Sequence, residues 1–367
     1  MKVAIVHDYL NQYGGAERVL ETFLEMFPGA HVYTLLYSAH NGVNGRFKKW
    51  VKKTSFLDFE FVRKNHRPFI PFMPLAAASL NLGDRYDLII SATAGYAKGI
   101  RYGKNTYHLS YYYTPLRYAW EMDNYFENKA FKTFFKPAFA YLKAWDAWAA
   151  QKPQKIVAIS NFIAKKVKDY YGRDASVVYP PVDTRKFRYD QRRAGKGGYY
   201  LAAGRFLHYK RFDLVIEAFR ELGFPLKIVG AGPEEQSLRG KTAGWWNQNI
   251  EIVPFTDDAT LARLYQEAKA FIFPQVEDFG LVAAEALSCG TPVIAFRGGG
   301  ALEIVEDGKT GVFFNRQTAD DLASAVRISR KLNFKRSLIS KSVRKFSIDI
   351  FKREFLSQLP DIPGVVG

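Results

Sequence analysis

The chain has 367 residues, a length that suits two domains, and its 48% apolar and 24% charged residues exclude a disordered chain. Its single cysteine, Cys289, excludes an intrachain disulfide framework and suits a reducing compartment, and no Cys/His cluster has zinc-site spacing. Lysine and arginine outnumber aspartate and glutamate by 53 to 36, and this formal net charge of +17 indicates a polyanionic partner: nucleic acid, nucleotide phosphates or an anionic membrane.

The first predicted element is a buried strand over Val3–Val6. Its apolar run is too short for a secretory signal peptide and stops at His7 and Asp8. No other run approaches the roughly 18 apolar residues that a transmembrane helix needs. We therefore expect a cytoplasmic protein whose contact with a membrane is peripheral, at the inner face.

Short apolar runs then alternate with amphipathic stretches through the first half. A loop containing Gly14 and Gly15 leads into a helix over Ala16–Phe27, whose apolar residues recur at helical spacing. Further strands are predicted over His31–Tyr37, Leu88–Ser91, His108–Tyr113 and Ile156–Ile159. Strands that alternate with helices favour a parallel α/β sheet.

The same alternation restarts in the second half with a strand over Tyr199–Ala203 and a helix over Phe212–Leu222. Later strands are predicted over Leu226–Val229, Ile250–Val253, Ala270–Phe273, Pro292–Ala295 and Gly311–Phe314. Two prolines followed by a polar, glycine-containing stretch favour a linker near residues 183–197. We predict two Rossmann-like domains, residues 1–185 and 196–345, that face each other across a cleft. A final helix at about 346–360 is expected to pack back on the first domain.

The Gly14-Gly15 loop is the first candidate site. Two glycines allow the backbone to approach a ligand, and the helix that follows offers N–H groups to an anion. The spacing is not the G-x-G-x-x-G of dinucleotide binding, and a plain turn explains the glycine pair equally well.

Arg205 and Lys210 stand at opposite ends of a short loop after the first strand of the second domain. A guanidinium fork and an ammonium point charge could both bind one diphosphate and stabilise it as a leaving group. The alternative interpretation is a solvated basic turn.

Glu277 and Glu285 lie eight positions apart, the first on a loop after a strand and the second within the helix Leu281–Ser288. Carboxylates inside an apolar frame need donors, and sugar hydroxyls are suitable ones. Four residues at the helix start would turn backbone N–H groups toward a ligand: Phe279, Gly280, Leu281 and Val282. The alternative is one helix-terminal charge and one surface glutamate.

The segment Tyr113–Glu121 follows a strand of the first domain. Its aromatic residues suit sugar rings and Arg117 suits a phosphate, although aromatic clusters of this kind are commonly core. The Gly298-Gly299-Gly300 loop repeats the loop-into-helix device, either as a set of backbone donors or as a flexible connector.

These segments together resemble the retaining family 4 glycosyltransferases of GT-B fold, over nearly the whole chain. The resemblance is carried by His7–Leu10, Gly14–Glu17, Thr114–Trp120, Ala158–Asn161, Val178–Asp183, Gly204–Arg211 and the E-x7-E pair Glu277 and Glu285. The Tyr-Lys-Arg and Pro-Pro-Val-Asp details look most like the GDP-mannose-dependent mannosyltransferases of surface polysaccharide assembly.

The resemblance implies a role for each matching position. Arg205 and Lys210 would hold the donor diphosphate, Glu285 would bind the ribose, and Glu277 would contact hydroxyls of the donor sugar. The backbone at 279–282 would line the donor, and Gly15 would approach it from the first domain. Enzymes of this family usually act without a metal or cofactor, and the absence of an Asp-x-Asp motif from the chain fits that expectation.

One position departs from the family pattern. Related sequences usually carry a histidine directly before the Thr-Pro pair, near the donor sugar, whereas Tyr113 stands here and His108 lies five residues earlier. Either Tyr113 takes over part of that role, or the donor or the activity differs. We place Tyr113, Arg117 and His108 near the acceptor or the sugar.

The expected activity is transfer of a hexose, mannose from GDP-mannose, to a saccharide or a lipid-linked saccharide. The alternatives are a UDP-sugar-dependent glycosyltransferase of the same fold, a phosphorylase-like reaction that uses free phosphate, and a non-catalytic protein that binds nucleotide sugars.

Two stretches mix basic and aromatic residues, 46–67 and 126–148. Such stretches suit an anionic membrane surface beside a lipid-linked acceptor, and the alternative is ordinary solvated faces over buried aromatics. We expect no nucleic-acid partner, because the chain contains no recognisable RNA- or DNA-binding module.

Overall fold

The computed structural model describes residues 1–39, 45–121, 135–243 and 249–360, and the chain forms two compact units. The first unit contains Met1–Pro181 together with the chain from Phe351 onward, and the second contains Val182–Ile350. Each unit is built on one sheet whose strand pairs are parallel. The predicted α/β class with two Rossmann-like sheets is therefore confirmed.

The strands of the first unit are β1 (Val3–Leu10), β2 (His31–Tyr37), β3 (Val51–Thr54), β4 (Leu88–Thr93), β5 (Tyr107–Tyr112), β6 (Lys155–Ala158) and β7 (Ser176–Val177). They pair in the order β3-β2-β1-β4-β5-β6-β7. The described helices are α1 (Gly15–Met26), α2 (Glu60–Lys64), α3 (Met73–Ser79), α4 (Arg117–Trp120), α5 (Lys136–Ala149) and α6 (Asn161–Tyr171). Short 3-10 turns span Arg67–Phe72 and Ala97–Gly99.

The strands of the second unit are β8 (Tyr200–Ala203), β9 (Leu226–Gly230), β10 (Ile250–Pro254), β11 (Phe271–Phe273), β12 (Val293–Phe296) and β13 (Gly311–Phe314). They pair in the order β10-β9-β8-β11-β12-β13. The described helices are α7 (Phe212–Leu222), α8 (Glu235–Thr242), α9 (Asp258–Glu267), α10 (Leu281–Ser288), α11 (Ala301–Ile304), α12 (Ala319–Ser329) and α13 (Arg336–Ser342). The last helix, α14 (Ile348–Leu356), begins in the second unit and continues in the first. Short 3-10 turns span His208–Lys210 and Val343–Phe346.

Strand β1 runs four residues beyond the predicted end at Val6. His7 and Asp8 are 3% and 6% exposed, so the strand buries polar side chains that the apolar pattern excluded. Burial is possible because both side chains have partners in the first unit.

The segment predicted as a linker packs inside the second unit. Phe187 is buried against Tyr265, with the ring centroids 6.0 Å apart. The amides of Gly195 and Gly197 donate to the carbonyls of Gln266 and Glu267 at the end of α9. The stretch has no regular secondary structure, but its backbone amides and the Phe187 ring make contacts within the second unit.

The last helix, α14, supplies two phenylalanines to the core of the first unit. Phe351 and Phe355 contact Phe23 of α1, at centroid distances of 5.5 and 4.6 Å, and both also pack on Tyr111 of β5. The polypeptide therefore returns to the first unit after completing the second.

A buried ion pair fixes α5 in the first unit. Lys98 Nζ lies 2.5 Å from Asp146 Oδ1, and both side chains are fully buried. Asp146 also accepts hydrogen bonds from Trp120 Nε1 at 2.8 Å and from the Tyr171 hydroxyl at 2.5 Å. Asp146 thus connects the turn after β4 with helices α4 and α6.

We expect Lys98→Met to lower the free energy of unfolding by about 3–5 kcal/mol, because it leaves the Asp146 charge buried without its cation. Urea unfolding measures the change. Lys165→Met is the matched control: its pair with Asp169 is exposed and should contribute less than about 1 kcal/mol. Equal effects of the two substitutions would contradict the assignment.

Candidate functional site

Three loops of the second unit leave the same edge of its sheet. Strands β8, β11 and β12 are neighbours and run parallel, so their carboxyl ends lie side by side. The loops that follow them are residues 204–211, 274–280 and 297–300. This edge is where open parallel sheets bind ligands.

Lys210 and Glu277 join the first two of these loops. The Lys210 ammonium makes an ion pair with Glu277 Oε1, and the two side chains are only 12% and 18% exposed. The side-chain amide of Gln275 lies 3.4 Å from the same carboxylate oxygen. Two residues that the sequence assigned to different parts of a ligand therefore contact each other directly.

The glycine loop after β12 packs tightly against the Glu277 loop. The Gly300 amide donates to the Glu277 carbonyl at 2.8 Å. A Cβ added at Gly299 would lie 2.4 Å from that carbonyl oxygen, and one added at Gly300 would lie 2.3 Å from the Phe279 carbonyl oxygen. These glycines are required for close packing, so the loop is more than a flexible connector.

Residues 279–282 form the start of α10. Gly280 is its N-cap with a φ of +106°, a conformation that favours glycine. Phe279 is buried against Phe346, with the centroids 5.2 Å apart, whereas Leu281 and Val282 are half-buried. Glu285, one turn further along the helix, is 4% exposed.

Arg205 and Lys210 stay on one compact loop after β8. Arg205 is exposed at its start, and the 3-10 turn His208–Lys210 follows. Arg211 ends the loop with a φ of +53°, in the left-handed region that a non-glycine residue rarely adopts. A cavity of about 240 Å³ opens beside this loop, lined by Leu207, His208, Phe212, Asp213, Glu234, Ser237, Leu238 and Lys241.

No group of three or more His, Cys, Asp or Glu side chains is placed to hold a metal ion within the described ranges. The charged side chains on the three loops include the cations Arg205, Lys210, Arg211 and Arg297 and the carboxylates Glu277 and Asp278.

In the first unit, Asp8 at the end of β1 binds a turn of backbone. Its carboxylate accepts from the amides of Ala94, Tyr96 and Ala97, and Thr93 Oγ1 lies 3.4 Å away. Sequence reasoning assigned Asp8 no role. The signal available in the sequence was the polar pair His7-Asp8, which directly follows the apolar run Val3–Val6.

The Gly14-Gly15 loop is held by Glu17. The Glu17 carboxylate accepts from the Gly14 amide at 2.7 Å and lies 3.4 Å from His7 Nε2. His7 and Glu17 are each 3% exposed, and sequence patterns did not assign a role to either residue. Gly14 has a φ of −158°, which any residue adopts, and an added Cβ would meet only Glu17 Oε2, at 3.4 Å.

Tyr113 lies beside this loop, and Arg117 lies at the start of α4. The Tyr113 hydroxyl donates to the Ala16 carbonyl at 3.0 Å. Arg117 Nε is 3.4 Å from Thr114 Oγ1. The structure thus brings Tyr113 together with the Gly14-Gly15 loop.

His108 is not brought to the others. It belongs to the amino-terminal end of β5 and is fully buried, with Nε2 2.7 Å from Ser91 Oγ. Because the Ser91 hydroxyl donates to Ser110 Oγ at 2.8 Å, Nε2 must carry the imidazole proton. Nδ1 is buried without a hydrogen-bond partner, and burial lowers the pKa of this ring to about 3. His108 presents no surface to a ligand, and we leave it out of the site.

Two family descriptions match the chain. Residues 13–186 match glycosyltransferase family 4, and residues 183–345 match the group 1 glycosyl transferases. An uncharacterized glycosyltransferase of Methanocaldococcus jannaschii is 27% identical over 49% of this chain and 50% of that protein. A D-inositol 3-phosphate glycosyltransferase of Nocardioides sp. is 31% identical over 47% of this chain and 45% of the relative. The matched region thus spans about half of each of these relatives.

Solved structures match nearly the whole chain. Anabaena HepE in complex with UDP superposes with a TM-score of 0.72 at 16% identity, over 98% of this chain and 100% of that one. The lipopolysaccharide outer core galactosyltransferase WaaB, in its apo form, gives a TM-score of 0.66 at 18% identity, over 98% and 99% of the two chains. At these identities the likeness concerns the fold.

The buried His108 predicts a pH dependence of stability. Its pKa in the fold is about 3, against about 6.5 in an unfolded chain, so its contribution is complete above pH 6.5 and is lost as the pH falls. Below pH 6.5 we expect wild type to lose about 1.4 kcal/mol per pH unit relative to His108→Gln.

Urea unfolding at pH 7 and pH 5 measures this difference. His208→Gln, at an exposed position of the second unit, is the control. Parallel pH curves for wild type and His108→Gln would contradict a neutral, buried ring.

Proposed function

We propose that this chain, which belongs to the GT-B glycosyltransferases with a family 4 domain followed by a group 1 domain, transfers a hexose from a nucleotide sugar with retention of configuration. The acceptor is a saccharide or a lipid-linked saccharide. One observation carries the proposal: Lys210, Glu277 and the glycine loop meet at the carboxyl edge of β8, β11 and β12.

The donor diphosphate is assigned to Arg205 and Lys210. An ammonium group has three N–H donors, so Lys210 can keep its contact with Glu277 and still donate to a phosphate oxygen. As the bond to the sugar breaks, negative charge grows on the departing diphosphate, and these two cations stabilise it. The proposed reaction uses no resident cofactor or metal, in line with the family habit.

The donor sugar and ribose are assigned to the two carboxylates. Glu277 has one oxygen engaged by Lys210, so its other oxygen can accept from sugar hydroxyls. Glu285 is buried near the start of α10 and would accept from the ribose hydroxyls. The backbone of Phe279, Gly280, Leu281 and Val282 would line the donor between these two positions.

The Gly14-Gly15 loop of the first unit is also assigned to donor binding. Neither its φ nor crowding within the fold requires a glycine at position 14. The absence of a side chain there is explained if a ligand approaches the backbone closely. Retention follows from attack by the acceptor hydroxyl on the face that the diphosphate leaves, without a covalent intermediate on the enzyme.

We propose GDP-mannose as the donor because Tyr209-Lys210-Arg211 and Pro180-Pro181-Val182-Asp183 are most similar to the GDP-mannose-dependent mannosyltransferases. Thermal shift with GDP, UDP and ADP tests the base, since a ligand that binds only the folded state raises the unfolding temperature. The largest shift should come from GDP. A larger shift with UDP would replace GDP-mannose by a UDP-sugar and leave the reaction class intact.

Lys210→Ala should weaken GDP binding about 10- to 100-fold by calorimetry, since one charge-assisted hydrogen bond contributes about 1.5–3 kcal/mol. Glu277→Ala should reduce turnover of radiolabelled GDP-mannose with a polyprenol-diphosphate saccharide at least about tenfold while GDP still binds.

Lys309→Ala is the matched control, because Lys309 pairs with Glu306 on an exposed loop before β13. Unchanged GDP affinity in Lys210→Ala would remove this lysine from the site. Wild-type protein that binds GDP but turns over no sugar would support the non-catalytic binding protein.

We also propose that the first unit contacts an anionic membrane at the cytoplasmic face, where a lipid-linked acceptor is found. Its docking face is defined by exposed apolar side chains on residues 56–75 and on α5. These side chains are 44–62% exposed: Phe56, Phe59, Phe61, Phe72, Leu75, Tyr141 and Trp148. Exposed cations accompany them: Lys52, Lys53, Lys64, Arg67 and Lys143.

The two segments of the docking face share one core beneath it. Phe139 and Leu142 of α5 belong to the same buried cluster as Leu57, Val62 and Met73. Both segments therefore pack on one core of the first unit, and we propose that their exposed side chains form a single surface. Residues 126–134 of the second stretch, including Lys129 and Lys132, lie outside the described residues. In the described ranges, none of the helices has the length and apolarity needed to span a bilayer.

Sedimentation with vesicles tests the docking face. Wild type should bind vesicles containing phosphatidylglycerol more tightly than pure phosphatidylcholine, and less tightly as salt rises. Phe59→Ser/Phe72→Ser should weaken binding at least about tenfold, because two exposed aromatic side chains that would insert into the lipid are lost. Leu338→Ser, 54% exposed in the second unit, is the control. Equal binding by the double variant, or its self-association without lipid, would overturn the assignment.

A further inference from the structure

Three side chains hold the first turn of α1 from different directions. Glu17 accepts from the Gly14 amide at 2.7 Å, and His7 of β1 lies 3.4 Å from the other Glu17 oxygen. Tyr113, directly after β5, donates its hydroxyl to the Ala16 carbonyl at 3.0 Å. Glu17 thus fixes the residue before Gly15, and Tyr113 fixes the residue after it.

The Tyr113 hydroxyl is a donor already in use. Burial raises the pKa of the phenol well above its ordinary value, so the hydroxyl keeps its proton. That single proton is directed at the Ala16 carbonyl. Edge contacts hold the ring, with its centroid 6.1 Å from His7 and 5.7 Å from Tyr111.

We propose that Tyr113 is a positioning residue, which holds the Gly14-Gly15 loop in its ligand-binding conformation through the Ala16 carbonyl instead of donating its hydroxyl to the sugar. A loop with two adjacent glycines has unusually large backbone freedom, and ordering it on binding costs affinity. A bond that orders the loop beforehand removes part of that cost. This proposal rests on the proposed function in one respect: it takes the nucleotide-sugar donor to be the ligand of this loop.

The departure from the family pattern then has a physical explanation. The phenol oxygen stands further from the backbone than either nitrogen of an imidazole, so tyrosine can reach a carbonyl on the neighbouring helix. The position usually held by histidine serves the loop in this chain, and the sugar must be bound by other groups.

The test compares two substitutions in the first unit. Each one deletes a tyrosine hydroxyl that donates a hydrogen bond to a backbone carbonyl. Tyr113→Phe removes the bond to Ala16, and Tyr102→Phe removes a bond of 2.8 Å to the Lys152 carbonyl, away from α1. Amide hydrogen exchange of residues 14–20 is measured first, without donor. We expect exchange about fivefold faster in Tyr113→Phe and unchanged in Tyr102→Phe, the effect of losing one neutral hydrogen bond.

Steady-state kinetics provides the second measurement. Tyr113→Phe should raise the KM for the donor about fivefold, with a smaller change in kcat, whereas Tyr102→Phe should change neither. Exchange equal to wild type, or a fall in kcat with KM unchanged, would overturn the positioning role. If wild type turns over no nucleotide sugar, the proposed function fails, while the exchange result still decides what Tyr113 does to the loop.

Discussion

The pairing of two largely buried charges, Lys210 and Glu277, is the constraint on which the candidate site depends. Either charge alone at that depth would be destabilising, because water is mostly excluded and Glu277 has no second ionic partner among the described residues. The loop after β8 must therefore stay against the loop after β11. The glycine loop after β12 fits only because Gly299 and Gly300 have no Cβ. If the donor binds at this edge as proposed, it meets groups that are already in place, so binding has to order little of the protein.

The first unit also holds its loops in place through buried polar side chains, but it uses different residues. At the end of β1, the Asp8 carboxylate accepts from three backbone amides. His7 Nε2 lies 3.4 Å from a Glu17 oxygen, whereas its buried Nδ1 has no hydrogen-bond partner within the described part of the chain. Asp8 fixes the turn after β4, and His7 contacts the carboxylate that holds the Gly14-Gly15 loop. Tyr113 belongs to this group, because its hydroxyl bonds to the Ala16 carbonyl. Polar residues at the carboxyl ends of strands thus divide into those that bind and those that hold the binding loops.

Sequence patterns predicted the elements where apolar periodicity is strong. Helices Phe212–Leu222 and Leu281–Ser288 agree with the prediction at both ends. Edge strands Val51–Thr54 and Ser176–Val177 were missed, because they are short and only half-buried or exposed. The Lys210–Glu277 contact joins positions 67 residues apart, and no local pattern encodes such a pair. His108 was misplaced although the predicted strand began with it, since a residue that opens a parallel strand lies at the edge opposite the ligand.

We propose that the excess of positive charge serves two physically different purposes. At the edge of the second sheet, Lys210 is shielded from water and paired, so its attraction for a diphosphate is weakly screened by salt. Residues 46–67 contain eight basic residues against two acidic ones, and Lys52, Lys53 and Arg67 are exposed among exposed phenylalanines. Charges of that kind attract an extended anionic surface over about one Debye length and lose the attraction as salt rises. One diphosphate carries too little charge to explain both the cations at the edge of the second sheet and those of residues 46–67. The second set therefore indicates a separate, extended anionic partner, and the apolar side chains beside it favour a lipid surface over a polyanion that lacks an apolar layer.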